Sequence, residues 1–158
     1  MDGAGFLLAL IAGVFFLLVI LIIVMYILKS IGLYRMGKDN EIKYSWLAWI
    51  PYGDNYILGS IVKKIELGGF KIPRLEILLP TLELLIIPVC VLTNVDFILI
   101  VLYWALLNLT LFKLYLMYSP ENVFALTILT IIFSVWPIFV FYLSDSISSI
   151  DNEKIIDE

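Results

Sequence analysis

"SWLAWIPYGDNYILGS", residues 45–60, is apolar enough to enter a bilayer yet holds Pro51, Gly53, Asp54 and Asn55 at its middle. Its reading decides the fold, because every later segment changes sides if this one crosses a membrane. Were residues 44–62 a span, the bilayer would separate Lys63, Lys64, Lys71 and Arg74 from Lys29, Arg35, Lys38 and Lys43. Basic loops collect on the cytoplasmic side, so this split is disfavoured. Broken helical hydrogen bonds near the midplane are tolerated only where protein or water satisfies them. The residues instead predict a cytoplasmic hairpin of two short helices over about residues 44–64, interfacial or shallowly re-entrant. Pro51 ends the first helix, and Asp54 or Asn55 caps the amides that open the second. Trp46, Trp49, Tyr44, Tyr52 and Tyr56 form an aromatic belt at headgroup level.

Outward from this hairpin the chain reads as apolar spans. Residues 6–28 are an uncharged run followed by Lys29, Arg35, Lys38 and Lys43. The run exceeds the roughly 7–15-residue core of a secretory signal and has no basic residue before it, so it reads as a permanent helix. Its amino terminus is expected outside and its basic end in the cytoplasm. Residues 75–92, 97–117 and 123–143 are expected as the second, third and fourth spans, broken by the polar turns "TNVD" and "YSPEN". Pro80, Pro88 and Pro137 are expected to bend their helices. Residues 144–158 read as an acidic extracytoplasmic tail, so both termini are expected outside. The fold class is thus an all-α integral membrane protein, one membrane domain over residues 1–143 with four transmembrane helices and the hairpin between the first two.

Composition supports that class. Hydrophobic residues make up 63% of the 158-residue chain and charged ones 15%, against roughly 45–50% apolar in ordinary soluble domains. Mean hydropathy is +1.07. The net charge of -4 hides a segregation: eight of the ten Lys and Arg lie between Lys29 and Arg74, while the last fourteen residues hold five carboxylates and one lysine. A single cysteine, Cys90, rules out an internal disulfide and any multi-cysteine metal site.

Residues 33–61, "LYRMGKDNEIKYSWLAWIPYGDNYILGSI", resemble the recurring segment of small multi-span bacterial membrane proteins. In that segment a basic helix end is followed by S/A-W-L-A-W/F-I-P and then N-x-Y-x-L-G. The matching positions are Tyr34, Lys38, Trp46, Leu47, Ala48, Trp49, Ile50, Pro51, Asn55, Leu58 and Gly59, under a fifth of the chain. The resemblance implies a bacterial cytoplasmic membrane and a shared structural unit, and no chemistry.

The residues that carry functional expectations are the polar groups inside the spans. Glu83 lies near the middle of the second span, where an isolated carboxylate is expensive and faces a partner or water. Glu76 is one heptad earlier on the same helical face. With the second and third spans antiparallel, Lys113 falls at a depth between the two glutamates, and Asn108 and Thr110 fall close to Glu83. Thr127, Thr130 and Ser134 share a face of the fourth span, completing an expected intramembrane polar seam. Gly5, Ala9 and Gly13 form a small-residue stripe on the first span, suited to close approach of another helix.

An enzyme is not expected. Histidine, a glycine-rich phosphate loop, a metal-ligand cluster and a nucleophile with an identifiable base are all missing, so no cofactor and no metal are expected. The basic, aromatic stretch from Lys29 to Arg74 favours anionic lipid of the cytoplasmic leaflet over nucleic acid. The expected function is a non-enzymatic accessory, regulatory or immunity-type protein. It would act through contacts with lipid and with a second copy or another membrane protein. The alternative is a homo-oligomeric channel or small transporter with Glu83 in the pathway.

Overall fold

The computed structural model describes residues 3–67, 70–92, 96–133 and 135–145. It is helical throughout, apart from a small two-stranded ribbon. Helix α1, Gly3–Asp39, takes in the whole apolar run and the basic segment after it. At about 1.5 Å per residue its 37 residues measure about 55 Å. It closes where the Asn40 backbone N–H and side-chain Nδ2 both donate to the Met36 carbonyl, and Glu41 at φ 58° reverses the chain.

The decisive stretch forms a hairpin folded back along α1. A 3-10 turn, Ser45–Trp49, climbs antiparallel to α1, and helix α2, Gly53–Val62, descends again. Ser45 lies beside Gly37, and the Tyr26 hydroxyl donates to the Trp49 carbonyl at 2.6 Å. The bend at Ile50–Gly53 therefore sits well above the end of α1, within reach of the Tyr26 side chain. Tyr52 makes the bend with φ 70°, and a Cβ on Gly53 would lie 2.4 Å from the Leu47 carbonyl oxygen. Only glycine fits there.

Strands β1, Ile65–Leu67, and β2, Phe70–Ile72, pair antiparallel and lead into helix α3, Leu75–Leu92. Helix α4, Asp96–Tyr118, runs back beside α3. A short 3-10 turn, Pro120–Asn122, opens helix α5, Val123–Phe133, and a last helix, α6, covers residues 136–145. Two helices are long and apolar enough to cross a membrane, α1 and residues Phe97–Tyr118 of α4.

Residues 123–143 depart from the expected single span. The chain reverses between α5 and α6, as three depth markers show. Tyr115 of α4 touches both helices, through Thr130 of α5 and Phe139 of α6. Trp136 lies over Lys29, a Cβ on Gly32 would lie 2.8 Å from the backbone of Val140 and Phe141, and Arg35 pairs with Asp145 at 3.1 Å. Positions 29, 32 and 35 of α1 thus meet 136, 140–141 and 145 in order, so α6 runs parallel to α1. Asp145 ends up beside the carboxyl-terminal end of α1, far from Gly3. Pro137 opens α6, where its missing N–H costs no helical bond. Residues 146–158, most of the expected acidic tail, lie outside the described residues.

The core forms where the last third of α1, α2, the start of α3, the second half of α4 and α6 converge. Leu33, Met36, Ile57, Leu58, Leu75, Leu79, Leu111, Leu114, Tyr115 and Val140 are fully buried there. Small residues permit the approach: a Cβ on Gly59 would lie 2.4 Å from the carbonyl carbon of Leu75. Above this core α1 stands alone, for every described residue from Gly3 to Val24 is exposed.

Candidate functional site

The two folded-back hairpins meet around Lys29, the first charged residue after the apolar run. Successive residues of a helix point about 100° apart, so Asp54 and Asn55, in the first turn of α2, face different neighbours. Asp54 turns to α1 and forms an ion pair with the Lys29 Nζ. Asn55 turns to α3 and α4, where its Nδ2 donates to Glu83 Oε2 at 2.5 Å and to the Tyr103 hydroxyl at 2.8 Å. One amide thereby ties three helices together.

The ion pair and Asn55 lie deep in the fold, while Glu83 and Tyr103 are half-buried. The Lys29 and Asp54 side chains are 16% and 5% exposed, well below what unpaired surface charges show. The ammonium also sits 5.3 Å from the Tyr26 ring centroid and 5.5 Å from that of Trp136, within cation–π range. Asp54 Oδ1 is buried without a hydrogen-bond partner. Such an oxygen retains acceptor capacity that burial has made expensive to leave unused.

The sequence assigns Asp54 or Asn55 as the cap of α2. Neither is one: the N-cap is Tyr52, with no side-chain cap bond, and both residues lie inside α2 with their side chains in the core. Trp46, Trp49 and Pro51 are exposed and Tyr56 is half-buried. The expected polar seam also separates. Glu83 is engaged by Asn55 and Tyr103, whereas Lys113 donates to the Lys64 carbonyl and secures the segment before β1. Asn108, Thr110 and Thr127 bond back to carbonyls of their own helices, at Trp104, Leu106 and Val123. Thr130 shares a 2.9 Å hydrogen bond with Tyr115. Glu76 is half-buried in the first turn of α3, its backbone N beside Gly59. Ser134 lies outside the described residues.

Gly5 and Gly13 have nothing within 4 Å of an added Cβ, and Ala9 is exposed, so the stripe meets no other element among the described residues. Close approach occurs instead at Gly32, Gly53 and Gly59. Lys29, Tyr103 and Trp136 escaped the sequence reading. Counting residues away from the chain reversal between α3 and α4 places Glu83 level with about residue 105, so Tyr103 was within reach and Asn108 lay most of a turn deeper.

A groove open to the surface lies elsewhere. It has a volume of about 420 Å³ and runs between α4 and α5, lined by Ile100, Val101, Trp104, Ala105, Asn108 and Ile131. Among the described residues no group of three metal-ligating side chains comes together. No protein-family model, no curated protein and no solved structure matches the chain.

Proposed function

We propose that this chain is a multi-pass membrane protein that performs no chemistry of its own and acts through contacts with lipid and with another membrane protein or a second copy. The observation that carries the reading is the solitary upper part of α1. Twenty-six residues precede Lys29 on α1, while only seven precede Tyr103 on α4 at the same level. A helix apolar on all sides and unaccompanied over that length needs lipid or a partner helix along it.

In the proposed arrangement α1, α3 and α4 cross the bilayer. The hairpins at 45–62 and 123–145 dip into it from the cytoplasmic face, a structural unit in keeping with the resemblance over residues 33–61. The amino terminus lies outside a bacterial cytoplasmic membrane. Exposed Lys38, Lys43, Lys63 and Arg74 face anionic headgroups. Capture of the tagged chain in native lipid particles without detergent, with intact-mass measurement, tests the reading. A stoichiometric partner or multimer is expected, lost with Gly13→Leu. A monomer in native lipid contradicts it, as does a complex indifferent to Gly13→Leu.

A second reading, an ion or proton pathway through Glu83, is favoured by the ionisable cluster at the junction of the hairpins. Liposome flux altered by Glu83→Gln supports that reading, and unchanged flux removes it.

A further inference from the structure

Among the described residues the charge count at the junction of the hairpins does not close. Lys29 supplies one positive charge, and Asp54 and Glu83 supply two negative ones. The other groups facing the cluster, Tyr26 from α1, Asn55 from α2, Tyr103 from α4 and Trp136 from α6, are neutral side chains. Among the described residues, the charged groups acting on Glu83 are Asp54 and Lys29. A fully ionised cluster would therefore carry one uncompensated negative charge among apolar helices, an arrangement strongly disfavoured in protein interiors and in lipid. The buried, unpartnered Asp54 Oδ1 independently marks missing positive charge or a missing donor.

We infer that the cluster holds one exchangeable proton, carried on Glu83 beside the Lys29–Asp54 ion pair. A metal ion would satisfy the same count, but the donors already present oppose it. The Lys29 ammonium occupies one oxygen of Asp54 and the Asn55 amide one oxygen of Glu83, so hydrogens line the space between the carboxylates. Asp54 has the ammonium as its partner and Glu83 has only neutral donors, so the proton falls to Glu83. Asn55 then donates to the carbonyl oxygen of a neutral acid. The inference rests on this packing and is independent of both readings above, since a bound proton needs neither flux nor a partner protein.

Infrared spectroscopy of the full chain in lipid bilayers at neutral pH reads the proton directly, in sodium and in choline buffers. The wild type should show the carbonyl band of one neutral carboxylic acid in both buffers, shifted in D2O and abolished by Glu83→Gln. Asp54→Asn leaves Lys29 and Glu83 to neutralise each other and should abolish the band as well. Lys29→Met removes the only cation of the cluster and should double it. The amide band of the same samples reports folding for each variant. A wild type without the band in either buffer overturns the inference, as does a band that survives Glu83→Gln. A band present in choline and lost in sodium assigns the site to a metal ion and equally overturns it.

Discussion

Gly59→Ala tests how tightly α2 is set against α3. The added Cβ would lie 2.4 Å from the Leu75 carbonyl carbon and 2.5 Å from the Glu76 nitrogen. Both are backbone atoms in a helix and cannot rotate aside. Ordinary contact begins near 3.4 Å, so α2 must withdraw by about 1 Å, a distortion of the kind that overpacking costs at about 1–3 kcal/mol. Asn55 lies four residues along α2 and would follow, stretching its 2.5 Å bond to Glu83 out of hydrogen-bonding range. Losing a net hydrogen-bond contribution adds roughly 0.5–1.5 kcal/mol. The expected total is about 2–4 kcal/mol. Reversible unfolding in mixed micelles, with Gly13→Ala as the control that meets nothing within 4 Å, gives the difference. Equal stability of the two variants would refute the close crossing of α2 and α3.

Lys29→Met should destabilise the chain by about 3–5 kcal/mol, because Asp54 is left buried and unpaired; Lys29→Met with Asp54→Leu should recover most of that loss. Asn55→Leu should cost about 1–3 kcal/mol by stranding Glu83 and Tyr103 together, with Tyr103→Phe in the same background restoring part of it, both read by unfolding. Tyr115→Phe and Thr130→Val should each cost about 1 kcal/mol. Their double variant should cost little more than either alone, since one hydrogen bond links them.

The long elements were legible because hydrophobicity and punctuation coincide. The expected 75–92 is α3, the expected 97–117 lies within α4, and the hairpin of two short pieces bends at Pro51 as the residues require. The α5–α6 reversal was illegible because hydropathy records depth without direction. An unbroken apolar run from 123 to 143 looks the same whether it crosses or returns, and Pro137 reads equally as a bend or as the first turn of a new helix. Glu83 was recognisable from the cost of an isolated carboxylate. Its partners were not, because Asp54 and Asn55 carry the usual signature of a helix cap, and tertiary packing turned both inward. Lys29 looked like the end of a span and proved to be the base of the cluster. The glycines that matter, Gly32 and Gly59, are distinguished from Gly5 and Gly13 only by what crosses them.

The account depends most on the return of α6 toward the basic end of α1. Single cysteines at Gly3, Lys38 and Asp145, placed in a Cys90→Ala background, can be labelled in oriented membrane vesicles with an impermeant maleimide. Positions 38 and 145 should react from the same side, and position 3 from the other. Labelling of position 145 together with position 3 would contradict the folded-back hairpin and restore a fourth crossing.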